Sequence, residues 1–225
     1  MSLDAPRRPD LKKKLVVVGD GDVTLPDFVV SEIKTLQALT LHRVWQDMSP
    51  HGTYVPTVFE NLITTIPNPL DPSKSIELAL WDTAGQEDFD RLRPLSYNDT
   101  DVILVVFACN HRPSLENVYD KWYPEMSHFC EDVPLVLVCT KTDLRRDQTT
   151  LQLMGAQGTK PITPEEGEKV AREIGAKRYM ECSAKEGTGV REVFDAAIRE
   201  SLKKGGMQGV TRNIVKKSGK KCVVL

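Results

Sequence analysis

The chain has 225 residues, 40% of them hydrophobic and 28% charged, with a formal net charge of −2; that is room for one domain and a tail, without the global basic field of a nucleic-acid binder. No apolar run approaches the roughly 18 residues of a membrane span, and the N-terminal MSLDAPRRPDLKKK has no apolar stretch behind its basic residues, so no secretory signal is expected. Five cysteines (Cys109, Cys130, Cys139, Cys182 and Cys222) form no close CxxC pair, which argues against zinc and suits a reducing compartment.

Taken in chain order, Leu15–Val18 is a short buried-strand run closed by Gly19-Asp20-Gly21. Residues 62–75 carry Pro67, Pro69 and Pro72, and Pro67 points to an edge strand or a loop. Ile76–Trp81 is a second strand run, followed by Asp82-Thr83-Ala84-Gly85-Gln86. A carboxylate at a buried strand's end is placed to hold Mg²⁺ through water. A glycine three residues on lets a backbone N–H approach a phosphate, and the glutamine beside it can orient an attacking water. Val102–Ala108 and Pro134–Cys139 are rich in β-branched residues and read as central parallel strands, with Tyr179–Cys182 a shorter one. Cys109, Cys139 and Cys182 read as buried small hydrophobes in or beside these runs.

Helices fall between the strands. Ser114 is expected to cap a helix carrying Leu115, Val118 and Trp122 on one face. Thr163-Pro164-Glu165-Glu166 is a capping box ahead of Val170 and Ile174. Val190, Val193, Phe194, Ala197, Ile198 and Leu202 follow helical spacing. Strands alternating with helices predict an α/β fold, a three-layer sandwich with a mostly parallel central sheet that binds ligands beyond its strands' carboxyl ends. Residues 205–221 are Gly- and Lys-rich and read as a flexible tail.

The string WDTAGQEDFDRLRPLSY resembles switch II of the Rho-family small GTPases almost letter for letter. Thr140-Lys141-Thr142-Asp143 resembles that family's base-recognition motif, in which Asp143 would accept from the guanine N1–H and exocyclic amine while the Lys141 stem lies along the base. Cys182-Ser183-Ala184-Lys185 is similar to its SAK loop, with the Ala184 N–H meeting the guanine oxygen. Tyr54-Val55-Pro56-Thr57-Val58-Phe59-Glu60-Asn61 resembles the Rho effector loop, with the Thr57 hydroxyl a Mg²⁺ ligand. The residues between Asp143 and Thr163 look like the helical insert of Rho proteins. The last four residues, Cys222-Val223-Val224-Leu225, form a CaaX box whose Leu favours geranylgeranyl transfer to Cys222. Arg212, Lys216, Lys217, Lys220 and Lys221 add a second membrane signal, about 1 kcal/mol per basic residue at an anionic leaflet.

The resemblance implies a P-loop NTPase-like domain over residues 11–204, between an N-terminal extension (1–10) and a polybasic tail (205–225). It implies GTP/GDP and Mg²⁺ as ligands. Nucleotide contacts would come from Gly21, Gly85, Thr140, Lys141, Asp143, Ser183, Ala184 and Lys185, the metal would lie at Thr57 and Asp82, and Gln86 would be the catalytic residue. It also implies exchange factors, activating proteins that supply an arginine finger, a lipid-extracting inhibitor and effector kinases or scaffolds as partners. The expected place is the cytoplasmic face of the plasma membrane or endomembranes, with a cytosolic pool and a role in cytoskeletal and polarity signalling.

One part departs from the pattern. After Gly21 come Asp22-Val23-Thr24-Leu25-Pro26, and no GK[ST] follows to cradle and neutralise phosphates. Hydrogen bonds to charged groups are worth about 1.5–3 kcal/mol each, so losing several costs on the order of 5–10 kcal/mol, or about three to seven powers of ten in affinity. Asp22 also brings negative charge to that place. Three readings of the segment 22–52 stand side by side. Shifted by one nucleotide, a permitted codon choice for Val44–Pro50 encodes Cys-Gly-Lys-Thr-Cys-Leu, which would make the segment the product of a displaced intron boundary. Taken as written, Asp27 can cap a helix bearing Val29, Val30, Ile33, Leu36, Leu39 and Val44, giving a pseudo-GTPase binding module. In the third reading, the replacement prevents stable folding.

Overall fold

The computed structural model describes residues 8–20, 59–83 and 85–211, with backbone only for 59–61 and 204–211. Among the described residues, six strands form one sheet: β1 (Leu11–Gly19), β2 (Phe59–Asn68), β3 (Asp71–Thr83), β4 (Val102–Ala108), β5 (Leu135–Thr140) and β6 (Arg178–Glu181). Their order is β2-β3-β1-β4-β5-β6; β2 runs antiparallel to β3 and every other pairing is parallel. Among the described residues, five α-helices accompany them: α1 (Arg112–Asn117), α2 (Tyr123–Phe129), α3 (Gln148–Ala156), α4 (Pro164–Glu173) and α5 (Val190–Thr211). The turn Val118–Trp122 between α1 and α2 is π-helical.

Strand alternation divides the core into two layers. Val102, Leu104 and Val106 of β4 face one way with Val136 and Val138, and pack on Val193, Phe194, Ala197 and Ile198 of α5. Ile103, Val105 and Phe107 face the other way with Leu137 and Cys139, and pack on Leu115, Val118, Trp122 and Met126, on Val170 and Ala171 of α4 and on Ile174 just after it. This is the expected α/β sandwich, in which near-continuous apolar strands are covered on both faces. Gly19 ends β1 where any side chain would collide: a Cβ there would sit 2.5 Å from the Val106 carbonyl oxygen. Cys109, Cys139 and Cys182 are buried, as their apolar neighbours predict.

Several boundaries differ from the sequence reading. Ser114 does not cap its helix, which begins at Arg112. Its hydroxyl instead accepts from the Ala108 N–H (3.1 Å) and donates to the His111 carbonyl (2.6 Å), and Pro113 near the helix start supplies the pre-set φ. The last strand is Arg178–Glu181 rather than Tyr179–Cys182, since Cys182 already turns into the loop. Helix α5 continues to Thr211, past residue 204 where the sequence reading ends the domain. Pro67 lies in the edge strand β2, beside a register shift at Pro67/Asn68, where its missing N–H breaks no central ladder.

Candidate functional site

Because β1, β3, β4, β5 and β6 are parallel, their carboxyl ends lie along one edge of the sheet. The register brings Asp82 beside Val17, Gly19 beside Val106, Ala108 beside Thr140 and Cys139 beside Glu181. All three described motifs (82–86, 140–143 and 182–185) thus open onto the same crevice, the ordinary ligand position in such sheets.

The 140–143 and 182–185 loops make one unit. The Ser183 hydroxyl donates to Asp143 Oδ1 at 2.6 Å, and the Thr142 N–H donates to the Cys182 carbonyl at 3.2 Å. Lys185 Nζ lies 4.0 Å from Asp143 Oδ2. The second loop is closed on itself by paired bonds between Ser183 and Thr188 and by the Glu186 N–H on Ser183 Oγ at 3.1 Å. Thr140 turns its hydroxyl down to the Phe107 carbonyl (3.1 Å). Lys141 sits at φ 57°, a left-handed conformation that non-glycine residues adopt at a cost of about 1–3 kcal/mol and that clusters at ligand sites. Its carbonyl accepts from the Cys109 thiol at 2.9 Å, and burial pushes that thiol up to about 11, so it stays protonated and able to donate at neutral pH.

The 82–86 segment leaves β3 with Asp82 buried and with the Thr83 hydroxyl on the Val17 carbonyl (2.8 Å). Beyond it the Gly85 carbonyl accepts from Lys121 Nζ (3.3 Å) and the Gln86 carbonyl from Arg93 Nη2 (3.3 Å). The Gln86 side-chain oxygen Oε1 is buried and has no hydrogen-bond partner among the described residues, an acceptor left for a further donor. Arg93 has no exposed side-chain surface; it pairs with Asp90 (2.6 Å) and Glu125 (3.0 Å) and stacks on Trp122. Glu125 also accepts from the Tyr97 hydroxyl. The turn Val118–Trp122 thereby contacts the segment after β3 through Lys121 and Trp122. Trp122 Nε1 and Asn117 Nδ2 donate to the two oxygens of Asp20 at 2.9 and 2.8 Å, just after β1.

The described residues among the predicted set are therefore Asp82, Gly85, Gln86, Thr140, Lys141, Asp143, Ser183, Ala184 and Lys185, and all flank the one crevice. Phe59 and Glu60 lie on β2, with Glu60 opposite Asp82 in the backbone register. Gly21, the segment 22–52 with its expected helix, Tyr54, Val55, Pro56, Thr57, Val58 and the lipidation candidate Cys222 lie outside the described residues. The sequence reading did not single out Arg93, Glu125, Arg145 or Glu181. Surface-type charges in DRLRP and DLRRD carry no periodic signal, and only the fold reveals which of them is buried.

A family model described as the Ras family matches residues 37–203. That match begins after β1 and its Gly19-Asp20 end, so Asp22–Pro26, where the pattern departs from GK[ST], lies outside the matched range. Full-length curated relatives align across nearly the whole chain. The GTP-binding protein RHO1 of Saccharomyces cerevisiae is 46% identical over 217 residues, covering 96% of both chains. RHO1 of Candida albicans is 46% identical over 216 residues, 96% of this chain and 97% of its own. RHO1 of Eremothecium gossypii is 45% identical over 218 residues, with the same coverage.

Proposed function

This chain belongs to the Rho family of small GTPases within the Ras superfamily, and from that premise we propose that it serves as a membrane-anchored GTP/GDP switch in signal transduction. The observation that carries the reading is the joined pair of loops at 140–143 and 182–185, where a buried-edge carboxylate faces the crevice with one hydroxyl partner.

The residues fit a guanine nucleotide at its base end. Asp143 would accept from the two neighbouring N–H groups that guanine offers and adenine lacks, and Ser183 would hold the carboxylate in line for them. The Lys141 stem would cover the base and the Ala184 N–H would meet its oxygen. When bound, GTP with magnesium supplies the γ-phosphate to be cleaved and the cation that neutralises its charge. Asp82 and Thr57 would hold that ion, Gly85 would offer its N–H to the phosphate, and the Gln86 amide, whose Oε1 has no partner among the described residues, would orient the attacking water. Cys222 would take a prenyl group and the basic residues ahead of it would bind an anionic leaflet. Exchange factors, activating proteins, a lipid-extracting inhibitor and effectors are the partner classes that family membership suggests, with polarity and cytoskeletal control as the setting.

A specific observation favours a second reading for the chain as written: no GK[ST] stands anywhere between Gly19 and Thr57. The protein would then recognise guanine but hold phosphates weakly, and would act by contact with partners. Titration of the purified chain with fluorescent GDP and GTP in magnesium separates the two. Submicromolar binding means that residues 22–52 rebuild a phosphate site and the switch is complete. Absence of binding by folded protein overturns the switch reading for this chain and leaves the binding module.

A further inference from the structure

Arg145 lies at the end of the 3₁₀ turn Thr142–Arg145, directly after the base-recognition motif, and its guanidinium is largely enclosed. Four of its contacts are resolved. Nη1 and Nη2 form a two-pronged pair with Glu181 at 2.6 and 2.7 Å. Nε donates to the Ile162 carbonyl at 2.8 Å, and Nη2 also reaches the Cys139 sulfur at 3.5 Å. Glu181 is the last residue of β6, next to Cys182-Ser183-Ala184-Lys185, and accepts in addition from the Tyr179 hydroxyl at 2.5 Å. The buried Ile162 is where the chain returns from the α3 insert; its own N–H donates to the Cys109 carbonyl at 2.7 Å. Cys109 in turn gives its thiol to Lys141.

We propose that Arg145 is a positioning residue for guanine recognition: through Glu181 and Ile162 it fixes the 140–143 loop, the 182–185 loop and the insert's return at one spacing. The inference deepens the guanine-site reading and rests on it. Asp143 and Ser183 meet at the crevice, where a backbone bond from the Thr142 N–H to the Cys182 carbonyl joins their loops. The planar fork of Arg145 adds a stiffer tie just behind it, because two parallel N–H bonds to one carboxylate fix direction as well as distance. A lysine keeps the charge and loses the fork. Burial alone would raise the Glu181 carboxyl, but hydrogen bonds from Arg145 and Tyr179 and the guanidinium charge outweigh it, so the pair is ionised at neutral pH. The insert shares the same anchor, so whatever moves α3 moves the base loops.

The test compares wild type with Arg145→Lys and Glu181→Gln, with Arg172→Lys on the exposed face of α4 as a control. The first readout is discrimination between GDP and IDP, which differ by the exocyclic amine that Asp143 would accept. The second is amide hydrogen exchange in nucleotide-free protein at Thr142 and Glu186, whose N–H bonds report the two loops. The proposal expects Arg145→Lys to compress the GDP-to-IDP affinity ratio about tenfold and to speed exchange at both amides, with a smaller effect from Glu181→Gln and none from Arg172→Lys. An unchanged ratio overturns it even if the melting temperature falls, because a merely structural role would not touch discrimination. If wild type binds neither nucleotide, the switch reading fails. Exchange then decides alone whether Arg145 ties the loops: faster exchange upholds the tie, and unchanged exchange overturns it.

Discussion

Ser183 Oγ and Asp143 Oδ1, forty residues apart in sequence, lie 2.6 Å from each other where the loops after β5 and β6 meet. A neutral hydroxyl thus takes one lone-pair direction of Oδ1, while Lys185 Nζ stands 4.0 Å from Oδ2. The bond orients Asp143 without neutralising it.

Removing that hydroxyl should loosen the base site. A hydrogen bond to a charged group is worth about 1.5–3 kcal/mol, so Ser183→Ala should speed release of fluorescent GDP by about tenfold or more. Ser183→Thr, which keeps the oxygen, should lose much less. Equal release rates for all three proteins would mean that Asp143 needs no partner.

Arg93 makes a different kind of demand. Its guanidinium is wholly enclosed and balanced by Asp90 and Glu125. Breaking a buried pair by removing one partner costs about 3–5 kcal/mol, because the other charge stays behind. Glu125→Ala should therefore lower the urea midpoint strongly with an unchanged m-value, while Arg93→Met combined with Glu125→Ala should recover part of the loss. A double variant no more stable than the single one would contradict this account.

The Arg145–Glu181 pair sets a pH dependence. The folded Glu181 carboxyl titrates below its ordinary range, since the bonds from Arg145 and Tyr179 outweigh burial. A group with a lowered folded value stabilises the fold above its unfolded value, near about 4.3, and that stability is lost as pH falls through the folded value. Stability curves of wild type and Glu181→Gln should thus differ fully at neutral pH and converge on acidification below about pH 4. A gap that widens toward acid pH would show that the sign is wrong.

Helix α4 offers a simpler check. Thr163 accepts from the Glu166 N–H at 3.3 Å while Glu166 accepts from the Thr163 N–H at 2.8 Å, a complete capping box. Thr163→Ala should cost about 1 kcal/mol in chemical denaturation, and Thr163→Ser close to nothing.

That capping box was readable from four letters because its chemistry is local. So were β4 and β5, whose runs are apolar on both faces, and the strand-end placement of Asp82, Thr140 and Asp143. Ser114 was misread for a related reason: its hydroxyl serves the Ala108 N–H across the β4–α1 junction, a contact that spacing cannot encode. Arg93 and Arg145 were illegible because a buried arginine looks like a surface one until its carboxylate partners, Glu125 and Glu181, are brought in from 32 and 36 residues away. Helix α5 runs past residue 204 although Gly205 and Gly206 read as tail. There the weak local preference of glycine is overridden by a helix already nucleated on its buried face.

The central claim is that this chain carries a guanine site, and competition measures it most directly. Fluorescent GDP bound to the purified protein in magnesium is displaced with unlabelled GDP or ADP, for wild type and Asp143→Ala. The account predicts displacement by GDP and not by ADP, at whatever absolute affinity residues 22–52 allow, and loss of that preference in Asp143→Ala. Equal displacement by the two nucleotides, or a preference that survives Asp143→Ala, would contradict it.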